Sequence, residues 1–363
     1  MWGKIGLEEH FAIPETLDDS RGFFPDRIWG ELKARLLDLH DERLQLMDDC
    51  GVEMMLLSLN APVVQAIPDP VRANDVARKA NDYLAREVQK RPDRFQGLAA
   101  LPMQDPDLAI RELDRCVRDL GFKGVLVNGF SQVGDPDTVV YYDLPQYRPF
   151  WRTLEALDVP FYLHPRTTVY ERSHHYAGHP WLFSSAWGFA AETAIHLLRL
   201  IGSALFDEFP KLQIVVGHLG ERIPFDMWRI DHRIETIPAG YPAKKPVSAY
   251  MRSNVHITTS GNFHDTTLRC AIAEMGIERT LFAISFAESS FFPLPPDLLL
   301  GPMAAAEPSK WARYALTCTI ASVLGGLLGY AIGMFLFDTI GQAIISFFGY
   351  GGRELELRAF YDQ

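Results

Sequence analysis

The chain has few basic residues relative to acidic ones, and few cysteines. Its 35 lysines and arginines against 46 aspartates and glutamates give a formal charge of −11. This balance argues against nucleic acid as a partner, because phosphate binding requires a basic face. The four cysteines lie far apart, without the short spacing of a metal motif. We therefore expect free thiols in a reducing compartment rather than a disulfide framework. They are Cys50, Cys116, Cys270 and Cys318.

Two further motifs are missing near the start of the chain. No Gly-x-Gly-x-x-Gly follows the first predicted strand, so a dinucleotide-binding fold has no support. Lys4, Glu8 and Glu9 interrupt any apolar segment of the kind that a signal peptide contains. The prediction is a cytoplasmic location for the first part of the chain.

Residues 1–282 alternate short apolar runs with longer amphipathic segments, which is the pattern of βα units and a parallel sheet. The predicted strands are Lys4–Glu9, Glu53–Ser58, Phe95–Ala100, Gly124–Val127, Pro160–Leu163, Gln213–Gly217, Val255–Thr258 and Thr280–Ile284. Eight strands in roughly 280 residues favour an α/β fold of the (β/α)8 TIM-barrel type. A doubly wound open sheet is the structural alternative.

The composition changes after residue 282, and residues 283–363 are predicted to form a separate hydrophobic tail. Residues 314–337 carry no charged side chain. As a helix this stretch would be about 36 Å long, enough to cross a hydrocarbon core of about 30 Å. Gly325, Gly329 and Gly333 are spaced for close helix packing in lipid. The stretch predicts a transmembrane helix; a buried helix of a globular domain is the alternative.

Potential metal ligands stand at the ends of three predicted strands. Glu8 and His10 lie two residues apart on the first strand and so point to the same side. His164 and His218 follow the apolar runs of two later strands. Since parallel strands of a barrel end at the same mouth, these groups predict a site for a zinc- or manganese-type ion. Taken one at a time, they could equally be a solvated strand end or packing histidines.

Three further residues are candidates for the same site. Glu221, three positions after His218, could orient that imidazole or be an exposed glutamate favoured by the helix dipole. Arg229 is the candidate cation for an acidic substrate, with surface pairing to a nearby carboxylate as its alternative. Phe23 could stack on a planar ligand or plug the barrel mouth.

Several longer phrases of the first 282 residues resemble the metal-dependent decarboxylases of the amidohydrolase superfamily, in particular the γ-resorcylate (2,6-dihydroxybenzoate) decarboxylase group. The phrases are Leu7–Thr16, Leu57–Pro62, Val127–Gln132, Tyr141–Tyr147, His164–Arg166 and His256–Phe263. The resemblance covers about three quarters of the chain. It is far more specific than the strand-end pattern alone.

The resemblance implies a carbon–carbon lyase that removes CO2 from a hydroxybenzoate with the help of one Zn²⁺ or Mn²⁺ ion. By position, Glu8, His10 and His164 would bind the metal, and His218 with Glu221 would be the catalytic pair. Phe23 and Arg229 would line the pocket of a small aromatic acid. Family members assemble into homo-oligomers. A hydrolase acting on a small acid is the alternative within the superfamily.

The chain departs from the family where the eighth strand should end. The aspartate expected there falls on Ser285, which is a poor metal ligand and no acid. The following residues resemble the start of a DedA-type membrane protein. Together these features predict an altered eighth strand and helix, and a fusion near residue 283. They also predict membrane association through the tail. Because the aspartate is replaced, they predict impaired activity or, in the extreme case, an inactive barrel.

Overall fold

The structure is a computed structural model that describes residues 4–169, 173–276, 300, 303–304 and 308–335. The chain divides into two compact units, Met1–His264 and Asp265–Gln363, which are described separately here. The predicted eighth strand, Thr280–Ile284, and Ser285 lie outside the described residues. The predicted domain boundary near residue 283 also lies there and stays a prediction.

Seven parallel strands form one sheet in the described part of the first unit. They are β1 (Lys4–Phe11), β2 (Val52–Leu59), β3 (Phe95–Ala99), β4 (Gly124–Asn128), β7 (Phe161–His164), β8 (Ile214–Val216) and β9 (Val255–Ile257), in that order across the sheet. A separate antiparallel hairpin joins β5 (Ser131–Val133) to β6 (Asp135–Val140).

The order of the strands distinguishes a barrel from an open sheet. Each strand of the large sheet pairs with the next one in sequence, and β1 lies at an edge. A doubly wound sheet would instead place strands on both sides of the first one. The side chain of Glu8 on β1 also hydrogen-bonds Ser260, just beyond β9. The sheet therefore curls so that its first and last described strands meet, as in a barrel.

Helices connect most of these strands. They are α1 (Asp26–Leu37), α2 (Glu42–Cys50), α3 (Pro70–Lys90), α4 (Pro106–Arg118), α5 (Arg148–Leu157), α6 (Pro180–Phe183), α7 (Gly188–Gly202), α8 (Leu205–Glu208), α9 (Ile223–Thr236) and α10 (Val247–Asn254). The α3 and α4 helices each begin with proline directly after an aspartate, and that carboxylate accepts backbone N–H bonds of the first turn.

The first predicted helix, Asp26–Asp49, is two helices in the structure. The Asp38 carboxylate accepts hydrogen bonds from the backbone N–H of Asp41 and Arg43, at 3.0 and 2.7 Å. An aspartate that binds nearby backbone N–H groups offers the chain an alternative to the helical ladder. The chain therefore turns at this point and α2 begins at Glu42.

Asn81 ties the helical layer to the sheet. Its side-chain amide donates to the carbonyl oxygen of Ala100 and accepts from the N–H of Ala100, both at 2.9 Å. The same amide donates to Glu112 on α4 at 2.8 Å. All of these groups are buried, so each needs its partner. One side chain thus holds α3, α4 and the segment after β3 together.

The second unit contains α11 (Asp265–Met275) and α12 (Trp311–Phe335). Tyr314, near the start of α12, is buried and packs with Met303 and Leu300. Among the described residues, no helix is both long and apolar enough to cross a membrane. The predicted transmembrane helix at 314–337 is therefore not supported. The prediction relied on a run of uncharged residues, and such a run does not distinguish a helix in lipid from one that packs against protein, as Tyr314 does.

The Asn81→Leu variant tests the contribution of this amide to the first unit. It leaves the N–H and carbonyl of Ala100 without their partner, whereas Glu112 Oε1 keeps its hydrogen bond from Arg115. We expect a loss of about 3 kcal/mol in the free energy of unfolding, measured by urea denaturation. The exposed Gln89→Ala change on the same helix is the control, with an expected effect within about 0.5 kcal/mol. Equal stability of the two variants would contradict this assignment.

Candidate metal centre

Three of the predicted ligands converge at the mouth of the barrel. Glu8 and His10 extend from β1 to the same side, and His164 ends β7. The Nε2 atoms of His10 and His164 are 3.1 Å apart, and His164 Nε2 is 3.5 Å from Glu8 Oε1. One potential ligand atom from each residue lies within 4.8 Å of the others. The structure thus brings together Glu8, His10 and His164.

The spacing of the two imidazoles fits a shared ion. With zinc–nitrogen bonds of about 2.0–2.1 Å, two nitrogens at a tetrahedral angle lie about 3.3 Å apart. The observed separation of 3.1 Å is close to that value. Two Nε2 atoms that face each other can share only one hydrogen bond, whereas an ion between them accepts both lone pairs. The donor set of one carboxylate and two imidazoles also suits Zn²⁺ or Mn²⁺.

Ser58 fixes the orientation of the His10 ring. Its hydroxyl donates to the carbonyl oxygen of Glu9 at 3.4 Å, and its oxygen lies 3.0 Å from His10 Nδ1. Because the serine proton points to the carbonyl, the serine oxygen accepts the Nδ1–H and leaves a lone pair on Nε2. Burial, followed by the charge of His164, lowers the pKa of His10 to about 3. A neutral His10 ring is the form that binds metal.

The two oxygens of Glu8 have different surroundings. Oε2 accepts hydrogen bonds from Ser260 Oγ, at 2.6 Å, and from the hydroxyl of Tyr162. Oε1 faces His164. Burial alone would raise the pKa of Glu8, but hydrogen bonding and charge from His164, with the two hydroxyls, hold that pKa far below its ordinary range. Burial and the neighbouring Glu8 raise the pKa of Tyr162, so its phenol stays protonated as a donor.

His218 and Glu221 form a pair inside a left-handed turn. Every residue from His218 to Arg222 has a positive φ, between 51° and 84°, before α9 begins at Ile223. This turn places His218 Nδ1 2.7 Å from Glu221 Oε1 and His218 Nε2 3.6 Å from Glu8 Oε1. Glu221 is only 1% exposed. The alternative prediction, an exposed glutamate favoured by the helix dipole, is therefore wrong about its exposure. Burial lowers the pKa of His218, but the hydrogen bond and charge of Glu221 raise it overall.

Gly261 leaves room for the His218 ring. A Cβ atom at this position would lie 2.5 Å from His218 Cδ2 and 2.8 Å from its Nε2. The backbone of Gly261 also has a φ of +63°, which favours glycine. The imidazole therefore packs directly against the main chain of the segment after β9.

A cavity of about 460 Å³ opens beside the ligand cluster. Besides Glu8, His10 and His164, its lining includes Phe24, Asn60 and Arg166. This volume is typical of small-molecule sites. Phe24 packs against Trp29, with ring centroids 6.5 Å apart. Phe23 ends the 3-10 turn Leu17–Phe23, but its side chain lies outside the described part of the structure.

The two arginines near this region have very different positions. Arg229 lies exposed on α9 and is not among the described residues that line the cavity. Arg166 lines the cavity and is only 5% exposed. Its guanidinium donates to three backbone carbonyls and to Gln132, and lies 4.1 Å from the ring centroid of Phe130. Burial lowers the pKa of Arg166 to about 10, so it remains a cation at neutral pH.

Sequence reasoning missed Ser58, Tyr162, Ser260 and Arg166. Arg166 appeared only as the end of the phrase His164–Arg166, with no pattern marking it as buried. The three hydroxyl residues come from separate strands, and isolated serine or tyrosine residues carry no spacing signal. A search for hydroxyls at the strand ends that carry histidines would have found Tyr162, which precedes His164 by two residues.

The amidohydrolase family model matches residues 12–286. The chain belongs to the amidohydrolase family. Solved structures of the family superimpose on it, as reported below, so the prediction of an amidohydrolase-type barrel is confirmed. The family match ends at residue 286 and gives no support to the predicted membrane-protein fusion.

Curated and solved members of this amidohydrolase family include decarboxylases. A γ-resorcylate decarboxylase from Rhizobium sp. (strain MTP-10005) is 61% identical over 285 residues, covering 78% of this chain and 87% of the relative. A crystal structure of 2,6-dihydroxybenzoate decarboxylase with 2,6-dihydroxybenzoate is 61% identical, with a TM-score of 0.75, over 77% of this chain and 87% of that one.

A second solved structure contains a metal ion. It is a dihydroxybenzoic acid decarboxylase from Polaromonas sp. JS666 with bound manganese and the inhibitor 2-nitroresorcinol. It is 58% identical to this amidohydrolase, with a TM-score of 0.75, and the match covers 77% of this chain and 85% of that one.

The Gly261→Ala variant tests the contact with His218. The added methyl group overlaps the imidazole, so we expect the ring to move away from Glu8 in a crystal structure of the variant. Gly240→Ala is the matched control, because Gly240 also has a positive φ but its Cβ would meet nothing within 4 Å. Both variants should lose about 1 kcal/mol of stability from the backbone alone. An unmoved His218 ring would contradict the proposed packing.

Proposed function

We propose that this amidohydrolase is a carboxy-lyase that decarboxylates 2,6-dihydroxybenzoate or a related hydroxybenzoate without oxidation. The observation that supports this most directly is the cluster of Glu8, His10 and His164 beside a cavity, with the His218–Glu221 pair next to it. The relatives named above, at about 60% identity, carry the same activity in their names.

Glu8, His10 and His164 are the residues that would hold one divalent ion, Mn²⁺ or Zn²⁺. When bound, such an ion would act as a Lewis acid that withdraws charge from the substrate. The structure provides one ionised carboxylate and a neutral His10 for this purpose. Ser58 keeps the His10 ring in the tautomer that presents Nε2.

His218 is the proposed proton donor. The ring carbon that bears the carboxylate must gain a proton before its bond to the carboxylate breaks. The electron pair of that bond then returns to the ring, and CO2 leaves with no oxidant required. Glu221 holds Nδ1 of His218 and stabilises its charged form, so that Nε2 carries the proton on the side that faces Glu8 Oε1.

Arg166 and Phe24 are the lining residues that we propose for contact with an aromatic anion. Arg166 supplies a buried positive charge, and Phe24 supplies an apolar ring. Phe23 and Arg229 remain candidates for substrate contact, as predicted from the resemblance. The chain is also proposed to form a homo-oligomer, since Phe225 and Trp228 on α9 are 82% and 73% exposed.

The central test measures CO2 from 2,6-dihydroxybenzoate with the purified chain loaded with Mn²⁺ or Zn²⁺. We expect stoichiometric CO2 and resorcinol, and loss of activity after chelation. His164→Ala should lose metal and at least about 100-fold in kcat/KM. The control is His256→Ala, since His256 is exposed on β9 and bonds only Gln213 among the described residues. A metal-loaded protein that releases no CO2 from any hydroxybenzoate would overturn the proposal.

The Glu221→Gln variant tests the role of the buried carboxylate. It keeps the size of the side chain but removes the charge that stabilises protonated His218. We expect kcat to fall about 100-fold while the metal content stays at the wild-type level. Glu235→Gln, on the exposed side of α9, should leave both unchanged. If Glu221→Gln lost its metal and kept its kcat per bound ion, the pair would have a structural role only.

A further inference from the structure

We propose that Tyr162 and Ser260 are positioning residues that fix the plane of the Glu8 carboxylate, so that only one of its two oxygens is presented to the metal. This inference rests on the proposed metal site and adds two residues to it. Neither residue faces the ion directly; both act through the carboxylate of Glu8.

The two hydroxyl donors lie on one side of the carboxylate. Ser260 Oγ is 2.6 Å from Glu8 Oε2, and the Tyr162 hydroxyl also donates to Oε2. The other oxygen, Oε1, is 3.5 Å from His164 Nε2 and 3.6 Å from His218 Nε2. The carboxylate therefore presents a single oxygen to the group of histidines.

The hydroxyl protons available in this cluster fix the direction of its hydrogen bonds, which point toward Glu8 Oε2. An ionised carboxylate only accepts hydrogen bonds, so Tyr162 and Ser260 each use their one hydroxyl proton on Oε2. Thr258 Oγ1 is 3.1 Å from the Tyr162 hydroxyl and 2.7 Å from Ser260 Oγ. Its own proton can serve only one of these two oxygens. Thr258 thus completes a hydroxyl cluster whose donors point toward Glu8.

The backbone leaves space for this cluster at Gly217. A Cβ atom there would lie 2.5 Å from Glu8 Oε2 and 2.9 Å from Ser260 Oγ. Tyr162 lies on β7, Gly217 follows β8 and Ser260 follows β9. Three neighbouring strands therefore contribute to the surroundings of one oxygen. Hydrogen bonds from surrounding residues of this kind orient the side chain of a metal ligand.

Rotation of the carboxylate is the motion that the cluster prevents. The terminal torsion of glutamate is broad, so without partners the plane of the carboxylate varies and either one or both of its oxygens can face the ligand cluster. Two donors on Oε2 remove that freedom before any ion arrives. The expected consequence is tighter metal binding, since loss of such supporting hydrogen bonds typically weakens metal affinity by about 10–100-fold.

The test uses Tyr162→Phe, Ser260→Ala and the double variant of the full chain. Mn²⁺ is titrated at a fixed pH, and the free ion is followed by electron paramagnetic resonance. Each single variant should bind Mn²⁺ about 10-fold more weakly, and the double variant up to about 100-fold. In Mn²⁺-loaded crystals, Glu8 should bind through Oε1 alone in the wild type and through both oxygens in the double variant.

The matched controls are Tyr147→Phe and Ser203→Ala. The hydroxyls of Tyr147 and Ser203 donate to the carbonyls of Met103 and Leu200, at 2.7 and 2.9 Å, away from Glu8. These variants should lose similar stability in urea denaturation and keep wild-type Mn²⁺ affinity. If Tyr162→Phe and Ser260→Ala changed the Mn²⁺ affinity no more than the controls do, the inference would be overturned. The two hydroxyls would then have only a structural role.

The outcomes separate this inference from the proposed function. Wild-type protein that binds Mn²⁺ but releases no CO2 would overturn the decarboxylase proposal, and weaker binding by the double variant would still support the positioning role. Wild-type CO2 release with unchanged Mn²⁺ affinity in the double variant would overturn the positioning role alone. Wild-type protein without Mn²⁺ affinity would overturn both.

Discussion

The ionised carboxylate of Glu8 is the constraint on which the mouth of the barrel depends. A buried negative charge without partners costs several kcal/mol, so the groups around it must be donors or cations. Hydroxyls from β7 and from the segment after β9 meet one oxygen, and the imidazoles that follow the apolar runs of β7 and β8 face the second. The curl of the sheet is what brings these strand ends within reach of β1.

The histidines of the proposed metal site and the histidine proposed as proton donor are held in place in different ways. His10 and His164 rely on strands that are distant in sequence, and their spacing depends on the register of the sheet. His218 relies on a left-handed turn and on two glycines, Gly217 and Gly261, next to it. A positive φ in residues other than glycine costs free energy. In this turn, the strained backbone brings the carboxylate of Glu221 close to the imidazole of His218. The proposed metal ligands and the proposed proton donor thus depend on different local geometry, although Gly217 lies beside both.

Much of this site could be predicted from sequence because its signals are local. The two-residue spacing of Glu8 and His10, and the histidines that end apolar runs, follow directly from strand geometry. The hydroxyls of Tyr162 and Ser260 could not be predicted, since their role depends on which strands become neighbours. The buried charge of Arg166 depends on the same tertiary packing. The transmembrane prediction has no support among the described residues, where the start of α12 packs against protein through Tyr314.

The compactness of the His218–Glu221 turn has a consequence for how this site responds to changes in the strands. Both partners of the pair lie within four consecutive residues and contact each other directly. Their mutual geometry is therefore carried by a single short segment, which contacts the rest of the barrel through the residues after β9. The proposed metal ligands, in contrast, are divided between β1 and β7. A change in the register of either strand would therefore alter the ligand cluster while leaving the four-residue turn of His218 and Glu221 intact.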